Sequence, residues 1–425
     1  MDLLVERCGP VWSPDPHIPY RMEELPGDCI VVRRGRVAWT GGSAAPEVLR
    51  ARQEGMATLD AAGAMVLPGF VDSHTHPVFF EHRAAEYELR NAGRSYLEIQ
   101  EAGGGILGSR RSLMAADPAG LKERVRARLR RFLALGTTTI EAKSGYGLSV
   151  EHELLSLSIL RELAAEEPIG IHPTLLAAHG VPPEHRADRG EWFRLIREEI
   201  LPVVAREGLA EALDAFCEPG VLSVEETEDL MRAGQELGLA VRLHAEQIGH
   251  GGGARLAARL GALSADHLEQ VDEADIAALA AAGTVFGLLP GSTFFLGQRE
   301  YAPARRIIAA GGRIALATDY NPGSSHIQSM PFILTLATCQ LKMTAAEAIW
   351  SATMGGAVSL GRGDRLGCLR PGWTADLCLW PFSALEELPY TVGDNRPLRV
   401  VRQGVVLAPE AGYPNLTGLG TFSHG

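Results

Sequence analysis

Four histidines and one aspartate in this chain have the spacing of a divalent-metal site. His74 and His76 stand two apart at the end of an apolar run, residues 65–80, MVLPGFVDSHTHPVFF. On an extended strand, residues two apart point to the same side. The two imidazoles therefore project together and can share one ion. Asp72 lies two residues earlier, where a carboxylate can orient an imidazole from behind. Pro77 has no N–H to give to a ladder and should stop the strand. An H-x-H pair alone is common, so its weight depends on further ligands. His244, His267 and Asp319 each close another short strand-like run. His74, His76, His244 and Asp319 then make an N/N/N/O set that leaves a position open for water. Water held on such an ion has a strongly lowered pKa and is a nucleophile near neutral pH. Taken singly, His244 reads as a core histidine, His267 as a partner of a backbone carbonyl and Asp319 as a helix cap. Their joint placement at strand ends is what favours the metal site.

Those residues need a scaffold that brings strand ends together. After residues 65–80 the pattern alternates between helix-like and strand-like segments. Strand-like runs at 137–142, 169–176, 212–216, 239–243, 263–265, 284–289 and 313–317 are separated by helix-like runs such as 121–134, 150–165, 191–207 and 224–237. Eight strands in strict alternation predict an α/β fold, a (β/α)8 TIM-like barrel whose active site lies at the C-terminal strand ends. A doubly wound sheet is the alternative, but no G-x-G-x-x-G follows the first strand. The two ends of the chain read as β-rich. Residues 29–40 look like a hairpin turning near Arg34-Gly35-Arg36, and 375–380 and 398–406 are strand-like. These ends are expected to pair. Residues 1–64 plus 366–425 would form a small β-sandwich domain, and 65–365 the barrel.

The glycines Gly103-Gly104-Gly105 resist regular structure and read equally as backbone close to a ligand or as a flexible surface loop, and KSGYG (143–147) follows the strand-like run at 137–142. At 425 residues and 46% hydrophobic content the chain can bury a large core. A net charge of −12 speaks against a general nucleic-acid surface. The six cysteines show no C-x-x-C spacing, no secretory leader is evident and no apolar stretch is long enough to span a membrane. A cytoplasmic protein with reduced thiols is expected. Lysine occurs only at Lys122, Lys143 and Lys342, so Lys143 stands where arginine was not used.

LPGFVDSHTH (67–76), AGGGI (102–106), EAKSGYGL (141–148), AAHGVP (177–182), DAFCE (214–218), RLHAEQ (242–247), SADHLE (264–269), LLPG (288–291), ATDYNPGSS (317–325) and PGWTADLCLW (371–380) together cover most of the chain. On these motifs the sequence resembles the amidohydrolase superfamily and, within it, the imidazolonepropionase family of histidine degradation. KSGYG with DYNPGSS is the more particular part of the likeness. The resemblance implies one zinc or iron ion per chain, held by His74, His76, His244 and Asp319. It implies hydrolysis of the lactam C–N bond of 4-imidazolone-5-propanoate to N-formimidoyl-L-glutamate. It assigns substrate contacts to Arg83, Tyr146, His179, Gln247, Asn321, Gly323 and Ser324.

The residue chemistry suits that assignment. A propionate tail calls for an arginine fork and backbone donors, which Arg83 and the Gly323-Ser324 turn would supply. Tyr146 between two glycines suits a mobile loop closing over the ring. Asp319 would accept the proton of the attacking water, and His267 would donate to the carbonyl oxygen as charge develops there. Some members of the family carry Glu at the position of Gln247. Gln cannot shuttle a proton, so a binding role is expected for it here. A metal-dependent heterocycle deaminase of the same superfamily is the competing reading, and a catalytically dead barrel serving as an assembly module is a third. A homodimer acting on a small molecule, without nucleic acid or membrane, is expected.

Overall fold

The computed structural model describes residues 1–94, 98, 103–393 and 395–407. Eight parallel strands form one sheet in chain order: β1 (Phe70–Asp72), β2 (Thr137–Lys143), β3 (Gly170–Ala178), β4 (Ala212–Cys217), β5 (Ala240–Ala245), β6 (Ser264–His267), β7 (Val285–Leu288) and β8 (Ile314–Leu316). Neighbouring strands are sequential, as right-handed β-helix-β crossovers require. Every residue of β2 is buried, which is why its run reads as continuous and β-branched rather than alternating.

The sheet closes just beyond the ends of β1 and β8. Thr75 bridges in parallel to Tyr320, and the His76 N–H donates to the Tyr320 carbonyl at 2.8 Å. The Asp319 N–H donates to the His74 carbonyl at 3.1 Å. The chain from 351 to 359, a π-helical turn (Ser351–Gly355) running into a helix (Gly356–Ser359), packs over the same seam. A β-carbon on Gly355 would lie 2.2 Å from the Ile314 carbonyl oxygen, and one on Gly356 would lie 2.1 Å from that of Val71. Only glycine lets this backbone sit against both closing strands.

The helices carry clear local signals. Asp117 caps Pro118–Ala134, and Ser223 and Asp272 form capping boxes on Val224–Glu236 and Glu273–Ala282. Gly103–Gly105 lead directly into a helix, Gly105–Met114, with Gly104 as its N-cap. The triplet is thus a helix entry, and Gly103 and Gly105 supply φ values of +88° and +68° there.

The apolar run at 65–80 is two strands rather than one. Met65–Pro68 pairs antiparallel with Leu377–Trp380, while Phe70–Asp72 opens the barrel. Gly69 between them sits so tightly that a β-carbon would meet Thr138 at 2.3 Å. Met65–Pro68 lies in a six-stranded sheet with Val405–Leu407, Arg399–Arg402, Leu377–Trp380, Val11–Pro14 and Met22–Leu25. A second, four-stranded sheet contains Arg36–Gly41, Cys29–Arg33, Leu3–Glu6 and Thr58–Asp60. Leu3, Val5, Ile30 and Val32 of one sheet pack with Val66, Leu377, Leu379 and Val401 of the other in one apolar cluster. The expected hairpin turns at Arg34 and Gly35, both with positive φ. Residues 408–425, also expected in this β unit, lie outside the described residues.

Candidate metal and substrate site

The histidine pair sits past the end of β1 on extended chain. The Thr75 carbonyl accepts from the Lys143 N–H at 3.0 Å on one side, and Tyr320 holds the other. Thr75 points away between them, so both imidazoles turn inward. His74 Nε2 lies 3.2 Å from His76 Nε2, and His244 Nε2 lies 3.5 Å from the same atom. Asp319 Oδ1 lies 3.3 Å from His76 Nε2 and 3.6 Å from His74 Nε2. Four donors on a tetrahedral ion with bonds of about 2.0–2.1 Å stand roughly 3.3–3.4 Å apart. The His74, His76 and Asp319 atoms stand close enough for one such ion, and His244 Nε2 flanks them beside His76.

The imidazoles are also prepared electronically. His74 Nδ1 lies 2.8 Å from Asp266 Oδ2, and His244 Nδ1 lies 3.1 Å from Asp214 Oδ2. Asp266 accepts the His74 Nδ1–H, which leaves its Nε2 lone pair facing the centre, and the Asp214 carboxylate beside His244 Nδ1 favours a proton on that nitrogen. Burial holds His74 well below its usual pKa and His76 below it, so both stay neutral donors. Burial pushes the Asp319 carboxyl up, but the His76 hydrogen bond and the charge of His267 outweigh it and leave it below the usual range. Asp319 has φ of +51°, and His267 and Leu268 have +83° and +67°. Left-handed backbone at non-glycine residues costs of order 1 kcal/mol each and gathers at functional sites. Here it aims strand-end side chains into the barrel mouth.

His267 stands beside the four donors. Its ring centroid is 5.6 Å from that of His74 and 5.4 Å from that of His244. Nδ1 and Nε2 of these rings also bring His74, His244 and His267 within reach of one another as a second possible trio. Glu269 Oε2 lies 3.8 Å from His267 Nδ1. Burial opposes protonation of His267, yet the charges of Glu269, Asp319 and Asp266 around it raise its pKa to about 8. The surrounding carboxylates thus favour the protonated imidazole.

The expected substrate residues gather around the same mouth. The Arg83 N–H donates to the Pro322 carbonyl at 2.9 Å, which brings this arginine onto the turn after β8. Its guanidinium packs so closely on Gly323 that a β-carbon there would lie 1.7 Å from Nη2. Arg83 Nε and Nη1 are buried without a hydrogen bond, and Glu86 is 3.7 Å away. His179 is stacked on His76, centroids 5.5 Å apart, with Nδ1 3.0 Å from the Gly145 carbonyl. Burial keeps it well below its usual pKa, so its Nε2 is an acceptor. Tyr146 packs against His179 at 5.3 Å and is 3% exposed. Gln247 is half-buried, its N–H donating to Glu218 Oε1 at 2.5 Å.

Three expectations change. Asp72 does not orient an imidazole: it accepts from the Thr318 N–H at 3.0 Å and from Thr318 Oγ1 at 2.6 Å. The Gly323 and Ser324 N–H groups do not face the mouth. Both donate to Asn321 Oδ1, at 2.8 and 2.7 Å, while Asn321 Nδ2 donates to the Asp319 carbonyl and to Ser324 Oγ. Asn321 spends its amide shaping the turn, as asparagine commonly does. The Tyr146 loop is not left free to move either. Buried Glu153 accepts the N–H groups of Gly145, Gly147 and Leu148 at 2.9, 2.9 and 2.8 Å. Neither Glu153 nor the orienting carboxylates Asp214 and Asp266 stood out in the sequence. Asp214 and Asp266 lie inside the DAFCE and SADHLE motifs, yet only the barrel brings them beneath the imidazoles. Glu246, next to Gln247, is structural: it accepts from the N–H groups of Gly251, Gly252 and Ala254.

A sequence profile of the amidohydrolase family matches residues 65–407, and the chain belongs to that family. Solved structures share the fold. The guanine deaminase of E. coli superposes with a TM-score of 0.71 at 18% identity, covering 96% of this chain and 99% of that one. An adenosine deaminase from Xanthomonas campestris, with bound zinc, gives 0.68 at 21%, covering 95% and 92%. Sequence narrows the group. The imidazolonepropionase of Anaeromyxobacter dehalogenans is 46% identical over 391 residues, 91% of this chain and 92% of its own. That of Myxococcus xanthus is 44% identical over 408 residues, 95% and 96%. That of Porphyromonas gingivalis is 42% identical over 378 residues, 89% of each. Within the amidohydrolases, this chain belongs to the imidazolonepropionases.

Proposed function

We propose that this enzyme hydrolyses the lactam C–N bond of 4-imidazolone-5-propanoate, giving N-formimidoyl-L-glutamate, with one zinc or iron ion held by His74, His76, His244 and Asp319. The observation that carries the reading is the close set of His74, His76 and Asp319 donor atoms, 3.2–3.6 Å apart, with His244 Nε2 3.5 Å from His76 Nε2. The ion supplies Lewis acidity that lowers the pKa of water at the site. Asp319 is a carboxylate at the mouth and accepts the proton of the attacking water. Water oxygen bonds to the lactam carbonyl carbon, and the carbonyl oxygen gains negative charge. Protonated His267 donates to that oxygen. The C–N bond then breaks, and the proton passes from Asp319 to the departing ring nitrogen. One water is consumed: its oxygen enters the new carboxyl group, one hydrogen goes to the formimidoyl nitrogen, and the other leaves the carboxyl group as a proton to solvent.

Arg83 binds the propionate tail. Its buried guanidinium keeps two nitrogens without hydrogen bonds among the described residues, and a carboxylate is the complementary fork. A heterocycle deaminase would have no use for that clamp, which favours the imidazolone over ring amines. His179 accepts a hydrogen bond from the substrate ring, Tyr146 packs on it, and Gln247 binds without moving a proton. Asn321, Gly323 and Ser324 act by holding the turn on which Arg83 rests. All six cysteines are free thiols, and among the described residues no helix is long and apolar enough to cross a membrane. We place the protein in the cytoplasm as a homodimer, the commonest symmetric assembly. Metal analysis together with loss of imidazolone absorbance tests the whole reading. About one zinc or iron per chain, with chelator-sensitive ring opening, is the expected result. Bound metal without ring opening would redirect the search to amino-heterocycles.

A further inference from the structure

Beneath the four donors lies a group of buried charges that the proposed reaction does not use. Lys143 is fully buried, and its ammonium lies 2.7 Å from Glu141 Oε1 and 2.7 Å from Asp214 Oδ2. Lys143 is on β2 and Asp214 on β4, with β3 between them in the sheet. The contact therefore crosses the barrel interior instead of following a strand pair. Each end of this bridge reaches a candidate ligand. Asp214 Oδ2 lies 3.1 Å from His244 Nδ1. At the other end, Glu141 Oε2 accepts from the Thr75 N–H at 3.1 Å, and the Glu141 carbonyl accepts from Thr75 Oγ1 at 2.5 Å. Thr75 is the residue between His74 and His76.

We propose that Glu141, Lys143 and Asp214 form a buried ionic strap that fixes His244 relative to the His74–His76 segment, making Lys143 a positioning residue that sets metal affinity without touching metal or substrate. The inference rests on the ligand set proposed above. Three points carry it. Asp214 paired with Lys143 is an ionised carboxylate 3.1 Å from His244 Nδ1, so its charge favours the proton on that nitrogen and leaves Nε2 open. A compact ammonium can meet two carboxylates from separate strands, where a planar guanidinium would demand more room. The chain has lysine at just three positions among 40 basic residues, and one is here. His74 has a separate support. Arg242 Nη2 lies 3.3 Å from Asp266 Oδ2 and 2.7 Å from the Ser73 carbonyl. The Lys143 strap therefore serves the relation between His244 and the pair, not His74 alone.

The test is zinc affinity, measured by competition with a chromophoric chelator, and the visible spectrum of the cobalt(II)-substituted protein. Lys143→Met with Glu141→Gln removes one positive and one negative charge, so the buried net charge is kept. The expected result is a zinc dissociation constant raised about 10–100-fold, with shifted cobalt bands and unchanged secondary structure. A constant within about twofold of wild type and an unchanged cobalt spectrum overturn the proposal. Should the double variant not fold, Asp214→Asn is measured in the same way. It keeps the side-chain volume, is expected to weaken zinc in the same direction, and overturns the proposal if it does not. Wild-type protein with no zinc, or His244→Ala with undiminished zinc, would instead sink the ligand set, and the strap with it.

Discussion

At the scale of single residues, the site separates binding of metal, binding of substrate and the chemical step. His267 has a pKa raised to about 8 and is not needed for the tetrahedral donor set. His267→Ala is expected to lower kcat by about 10²–10³-fold, the usual cost of a lost oxyanion donor. Metal content should stay near one per chain, and steady-state kinetics with metal analysis checks both. Turnover close to wild type would remove His267 from the mechanism. Arg83 is expected to act differently. Arg83→Met should raise KM roughly 10–100-fold, the worth of charge-assisted hydrogen bonds of about 1.5–3 kcal/mol, and change kcat less. An equal fall in kcat and kcat/KM would mean that the clamp acts only in the transition state.

At the scale of elements, loops are held by single buried carboxylates. Glu153 at the start of Val150–Glu166 gathers three N–H groups of the Gly145–Leu148 turn, and that turn carries Tyr146. Its burial would be costly without those donors, each of which stabilises the charged form. Glu153→Ala should free the turn while leaving the barrel folded. Amide exchange at residues 145–148 should speed up against an unchanged background in β2 and β3, and KM should rise. Exchange rates that stay at wild-type values would show that packing of Tyr146, not Glu153, holds the turn.

At the scale of the molecule, two kinds of tie hold the assembly together. The small β unit reaches the barrel through Tyr20. Its hydroxyl donates to the Gly312 carbonyl at 2.5 Å and accepts from the Ile314 N–H at 2.9 Å, at the start of β8. Tyr20→Phe leaves both backbone groups without this partner, and urea unfolding should show a loss of about 1–3 kcal/mol. No change in the midpoint would mean that water replaces the hydroxyl. An ion in the proposed site would tie the barrel itself. A ligand set drawn from β1, β5 and β8 is assembled only in the folded chain, so an ion at 100 times its dissociation constant stabilises by about 2.7 kcal/mol. Chelation should lower Tm and added zinc should restore it. A Tm indifferent to chelator would argue against an ion at this site.

Much of this was legible in the sequence because barrels write a local code. Burial on both faces makes each strand a short apolar run, amphipathic helices separate the runs, and the polar residues that end each strand must share one rim. That logic points from the sequence alone to His74, His76, His244, His267 and Asp319 at one rim. What it could not contain were contacts between positions far apart in the chain. The run at 65–80 reads as one strand, yet its halves enter different sheets because Leu377–Trp380, some 310 residues later, offers an edge to Met65–Pro68. Asn321 reads as a ligand contact, but its amide is consumed by the turn it caps. Glu153 and Lys143 read as an ordinary helix acid and an odd lysine. Sequence determined which residues could do the chemistry, because strand periodicity and side-chain type are local. The tertiary structure alone decided how they are held, because a buried carboxylate or ammonium is defined by partners that only the closed barrel brings to it.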